Sequence, residues 1–129
     1  MPKIEKTAIH SDQAPKALGP YSQAIKAGNT VYISGQIALS PQTNQIVADD
    51  LGAQTQQVLD NLAAIAKASG GHIDNCVKLT VYLTDLQAFD AVNACMQSFF
   101  NAPYPARACV EVNALPRQAL IEIDAILQL

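Results

Sequence analysis

Arg107 and Glu122 are the residues whose types and spacing point most directly to chemistry. Each lies in a run that alternates apolar and polar residues, 106–112 and 120–127, and the two runs are joined through Leu115-Pro116-Arg117-Gln118. Alternation with period two sends successive side chains to opposite faces of a strand. Pairing the runs as an antiparallel hairpin puts Ala108, Val110, Ile121 and Ile123 on one face and Arg107, Cys109, Glu111, Glu122 and Asp124 on the other. A guanidinium grips a carboxylate through two parallel N–H donors. A carboxylate nearby orients water or takes its proton. The pair therefore suits a small carboxylate-bearing molecule. The plainer reading is a structural ion pair of Arg107 with Glu122 or Glu111, and from spacing alone both readings stand.

Four further residues join Cys109 in this set, each of the five with a structural alternative. Ser34-Gly35 closes a predicted strand, where glycine lets a ligand approach the backbone; an ordinary strand-end turn would look the same. Tyr21 follows Gly19-Pro20 and either swings a phenol over a pocket or packs on the sheet. Asn93 falls inside the apolar stripe of a predicted helix, so its amide must find a partner in a ligand, a subunit contact or a nearby backbone group. Cys109 stands one alternation step from Arg107, whose charge favours a thiolate. A small packing thiol is the stronger reading, leaving Cys109 a lining role through its backbone N–H.

The 129 residues make one domain, with half of them hydrophobic and 15% charged. So apolar a surface suggests that part of it is covered by another subunit. A net charge of −3 with no Lys/Arg cluster argues against a nucleic-acid footprint. Three cysteines without a CxxC spacing fit a reducing compartment, and His10 and His72 have no metal-ligand spacing. The opening residues show neither an apolar leader core nor an Arg-rich amphipathic pattern, and no run is long enough for a bilayer span. The expected setting is the cytosol.

Strands are predicted over 21–27 and 30–35, with a turn at Gly28-Asn29, and a short extra strand near 6–9. Leu51, Thr55, Val58, Leu59, Leu62, Ile65 and Ala66 recur at helical spacing up to a stop at Gly70-Gly71. A strand over 73–84 carries Val77, Leu79, Val81 and Leu83 on one face. Thr84-Asp85 caps a second helix with Phe89, Val92, Met96, Phe99 and Phe100 as its core stripe. The order β-β-α-β-α-β-β predicts an α+β fold, two helices on one face of a mixed sheet, with the helices over the Ala108/Val110/Ile121/Ile123 face.

These stretches also carry a resemblance. Gly19-Pro20-Tyr21-Ser22-Gln23-Ala24, Ser34-Gly35-Gln36-Ile37, Tyr104-Pro105-Ala106-Arg107-Ala108-Cys109-Val110-Glu111-Val112 and Ile121-Glu122-Ile123-Asp124-Ala125, in order along nearly the whole chain, resemble the RidA type of the YjgF/Rid family. The resemblance implies a chorismate-mutase-like fold, a homotrimer around a central barrel, and clefts between subunits. It implies hydrolysis of 2-aminoacrylate, 2-iminopropionate and 2-iminobutyrate to 2-keto acids and ammonia, without a cofactor. It gives Arg107 the substrate carboxylate and Glu122 the attacking water, with Tyr21, Ser34, Gly35, Asn93 and the Cys109 backbone lining the cleft. The stretch Asn101-Ala102 looks shorter than is usual in the family. Two other classes compete: a non-catalytic trimer that binds a 2-keto acid, and an RNA-cleaving translation inhibitor, against which the acidic balance weighs.

Overall fold

The computed structural model describes residues 5–129; part of the segment read as free of a leader, residues 1–4, lies outside them. Six strands, β1 (Lys6–Ile9), β2 (Ala24–Ala27), β3 (Thr30–Gln36), β4 (Cys76–Leu83), β5 (Ala106–Glu111) and β6 (Ile121–Gln128), alternate with two helices, α1 (Leu51–Ala68) and α2 (Phe89–Phe99). The strands form one mixed sheet in the order β1-β2-β3-β6-β4-β5. The α+β class, the two helices and the extra strand at Lys6–Ile9 are as the sequence predicts.

Helix α1 begins where the Asp50 carboxylate accepts the Ala53 N–H at 2.8 Å, and it ends at Ser69 ahead of Gly70, whose φ of +90° suits glycine. Its stripe of Thr55, Val58, Leu59, Leu62, Ile65 and Ala66 is fully buried. Against it lie Val31 and Ile33 of β3, Leu79, Val81 and Leu83 of β4, and Ile121, Ile123 and Leu127 of β6. Helix α2 adds Val92 and Met96 and is followed by buried Phe100. The Asp85 cap belongs to a short 3₁₀ turn, Leu86–Ala88, that leads into α2.

Two expectations are overturned. The first is the hairpin of the last two strands. Strand β5 pairs with β4 in parallel, and β6 inserts between β3 and β4, antiparallel to both. Helix α2 joins β4 to β5, and a strand–helix–strand connection of this kind returns the chain parallel. The 116–118 segment is a 3₁₀ turn with Arg117 at φ +60°, held by its guanidinium on the Asn44 carbonyl, and it carries the chain over the end of β4. The faces of β5 therefore reverse. Arg107 stands opposite Leu79 and Cys109 opposite Val81, on the helix side, while Ala108 and Val110 stand opposite Thr80 and Tyr82, on the open side. The second correction is Val77. A bulge between Cys76 and Lys78 turns Cys76 inward and leaves Val77 exposed.

Ile123, fully buried in the middle strand, is a direct test of this core. Ile123→Ala is expected to cost roughly 2–5 kcal/mol in urea denaturation, against less than about 0.5 kcal/mol for Gln56→Ala on the exposed side of α1.

Candidate functional site

The structure places most of the candidate residues at two separate recesses. The first, about 460 Å³, is lined by Asn93, Met96, Gln97, Tyr104, Pro105 and Arg107, between α2 and the edge strand β5. Arg107 Nη1 donates to Asn93 Oδ1 at 2.7 Å and to Met96 Sδ at 3.6 Å, and its Cζ lies 4.9 Å from the centre of the Phe89 ring. The polar partner that Asn93 needed is thus the guanidinium. Among the described residues the two ion pairs are His10–Asp12 and His72–Asp74, so neither Glu122 nor Glu111 neutralises Arg107. Glu111 instead accepts the Leu86 N–H at 2.9 Å and caps the turn before α2.

The second recess, about 130 Å³, gathers Lys16, Tyr21, Gly35, Ile37, Pro116 and Glu122, among others, on the other side of the sheet. Glu122 stands opposite Tyr82 on the open face. Burial raises its carboxyl above the usual range, and the neighbouring Asp124 adds to this. Asp124 accepts the Tyr82 phenol at 3.0 Å, a contact that holds the phenol's own proton more tightly. Gly35 leaves room for the Glu122 side chain: a Cβ at that position would meet Glu122 Cδ at 2.9 Å. Tyr21 is half exposed over this recess, after a tight turn in which its N–H donates to the Gly19 carbonyl.

Ser34 and Cys109 line neither recess. The Ser34 hydroxyl donates to the Ser22 carbonyl at 2.6 Å and ties β3 to the loop before β2. The Cys109 side chain packs against the core, and burial raises its thiol pKa despite the opposing pull of Arg107. Its backbone is more available. The Val112 N–H bonds to Leu83 across the ladder, so by alternation the amide of Cys109 points to the free edge of β5.

Sequence reasoning missed Phe89 and Met96, assigned to the core stripe, together with Lys16 and Gln23. Gln23 is buried, and its amide bonds the backbone of Ser11 and Pro15, fixing the loop that carries Lys16. A lone glutamine in a weakly alternating run gives no signal of this. The helix between β4 and β5 was a usable signal for the true position of Arg107.

The domain is therefore an α+β fold with an arginine free of acidic partners among the described residues on one side of its sheet and a glutamate of raised pKa on the other. The Endoribonuclease L-PSP profile matches residues 11–128, and the chain belongs to this family, the YjgF/Rid family. A RutC family protein of Pyrococcus horikoshii is 48% identical over 121 residues, covering 94% of this chain and 96% of that one. A 2-iminobutanoate/2-iminopropanoate deaminase of Dermatophagoides farinae is 40% identical, covering 94% of each. The crystal structure of RidA from the Antarctic bacterium Psychrobacter superposes with a TM-score of 0.93 at 46% identity, covering 95% of this chain and 99% of that one. No helix among the described residues is long and apolar enough to cross a membrane.

Because the folded carboxyl of Glu122 holds its proton above the ordinary pKa, the native state binds that proton more tightly than the unfolded chain does. Stability then falls as pH rises from the unfolded pKa through the folded one. Glu122→Gln is expected to melt higher than the wild type at pH 8 and level with it at pH 4, as read by thermal denaturation across pH. Gly35→Ala should displace the flexible Glu122 side chain instead of breaking the fold, giving a stability loss below about 1 kcal/mol in the same measurement.

Proposed function

We propose that this protein hydrolyses short 2-imino acids to 2-keto acids and ammonia, in clefts formed between copies of the chain. The observation that carries the reading is Arg107: a guanidinium held by neutral partners, at a recess, with no acidic side chain paired to it among the described residues. Such a group recognises a carboxylate brought from outside. A 2-imino acid presents that carboxylate beside a C=N carbon, and anchoring one end places the other at a fixed distance from water.

Glu122 supplies the complementary chemistry. A carboxyl that keeps its proton to higher pH protonates the imine nitrogen and, once ionised, takes a proton from the attacking water. Water adds to the carbon, the carbinolamine loses ammonia, and the 2-keto acid remains. Gly35 admits the Glu122 carboxyl, while Tyr21 and Lys16 border the space in front of it.

In one protomer Arg107 and Glu122 face opposite sides of the sheet, so a complete site needs Arg107 from one copy and Glu122 from another. The open face supports association, for it leaves Tyr32 and Val110 exposed around the Tyr82–Asp124 pair. A cyclic trimer closes three such sites by one repeated contact. The RidA and imine-deaminase names of similar chains support the same reading. The scattered basic residues supply no phosphate track for RNA cleavage.

The test uses imines generated by a threonine dehydratase, with keto-acid release as the readout. Arg107→Ala is expected to abolish acceleration, falling at least about 100-fold, with the assembly intact by light scattering. Arg107→Ala and Glu122→Gln, each inactive alone, are then mixed by refolding. Random trimers regain activity at about one quarter of their sites if Arg107 and Glu122 come from different copies, and at none if both come from one. Tight calorimetric binding of 2-oxobutyrate without turnover would replace the enzyme by a binding protein.

A further inference from the structure

Arg107 does not hold its position by itself. Three residues of α2, spaced i, i+4 and i+7, converge on it: Phe89, whose ring lies under Cζ at 4.9 Å, Asn93 at 2.7 Å and Met96 at 3.6 Å. This spacing is one face of a helix. The next residues inward, Val92 and Phe100, are buried, whereas Phe89 is only half-buried and spends its ring on the cation instead of the core. Strand β5 is an edge strand, so no neighbouring strand confines the arginine from the other side.

The distribution of contacts is uneven. Nη1 donates to two acceptors, Asn93 Oδ1 and Met96 Sδ. Nε and Nη2 have no protein acceptor among the described residues. These two nitrogens form the side edge of the fork, whose parallel N–H groups match a carboxylate's two oxygens. The ring face 4.9 Å from Cζ attracts the cation and draws the guanidinium toward α2.

We propose that Phe89 is a positioning residue: with Asn93 and Met96 it locks Arg107 so that the ligand carboxylate is received on the Nε/Nη2 edge. The proposal rests on Arg107 being the carboxylate anchor, and it adds the residue that aims it. Loss of the ring leaves the charge in place but frees its orientation. The penalty then falls on binding, with little change in the chemical step once the substrate is seated.

The experiment compares Phe89→Leu with Phe89→Tyr, which keeps an aromatic face; Phe89→Met replaces the leucine variant if that one fails to fold. Phe89→Leu is expected to raise KM and the calorimetric Kd for 2-oxobutyrate about three- to tenfold, with kcat within about twofold of wild type. Phe89→Tyr should restore both. A ligand-free arm reads the guanidinium by ¹⁵N NMR: separate, slowly exchanging Nη resonances for Arg107 in the wild type and the tyrosine variant, averaged ones in the leucine variant. Unchanged Nη exchange in Phe89→Leu overturns the proposal, as does an unchanged KM or a tyrosine variant as weak as leucine. If the wild type neither binds 2-oxobutyrate nor releases keto acid, the functional reading fails, and the NMR arm alone still decides whether Phe89 holds Arg107.

Discussion

The parallel pairing of β5 with β4 is the constraint on which the site depends. It follows from placing a helix between the two strands, since a crossover of that kind returns the chain in the same direction. One consequence is that Arg107 lies beneath α2 and not beside Glu122. Another is that α2 both closes the core through Val92 and Met96 and presents Phe89 and Asn93 to the guanidinium. Had β5 turned back as a hairpin with β6, the cation and the carboxylates would share a face and neutralise one another. The crossover keeps the positive charge available.

Much of this architecture is legible in the residues. The stripe from Thr55 to Ala66 dictates α1, and the alternation of Ile121, Ile123, Ala125 and Leu127 dictates a strand with one dry face. The pairing of strands is harder to read, because alternation specifies which side chains share a face within a strand but not which neighbour the strand chooses. A 115–118 segment with Pro116 looks like a hairpin turn in sequence, but Pro116 and the positive φ of Arg117 and Gln118 build a crossing segment anchored on Asn44. The bulge at Cys76 was hidden for a similar reason: an inserted residue shifts the period without changing composition.

At the candidate site, residue type was more informative than position. Arginine, glutamate and glycine were singled out for what their groups do. Gly35 faces Glu122 so closely that a Cβ there would have to push the carboxyl aside. The Ser34 hydroxyl bonds the Ser22 carbonyl, and the Cys109 thiol packs inward as expected of a small packing residue, leaving its backbone at the strand edge. Phe89 was passed over because an aromatic at helical spacing reads as core, and only the turn of β5 toward α2 gives it a cation to face.

The buried amide of Gln23 has a consequence for how the molecule comes apart. The segment from Ser11 to Pro15 is attached to the sheet by four hydrogen bonds to that one side chain and by a single small core residue, Ala14, whereas the strands behind it are locked by extensive apolar packing. Water competes with a hydrogen-bonded latch more readily than with a dry core. Warming or mild urea should therefore unfasten the flap bearing Lys16 while β3, β6 and β4 remain intact. Such a partly opened chain would still register as folded to most optical probes.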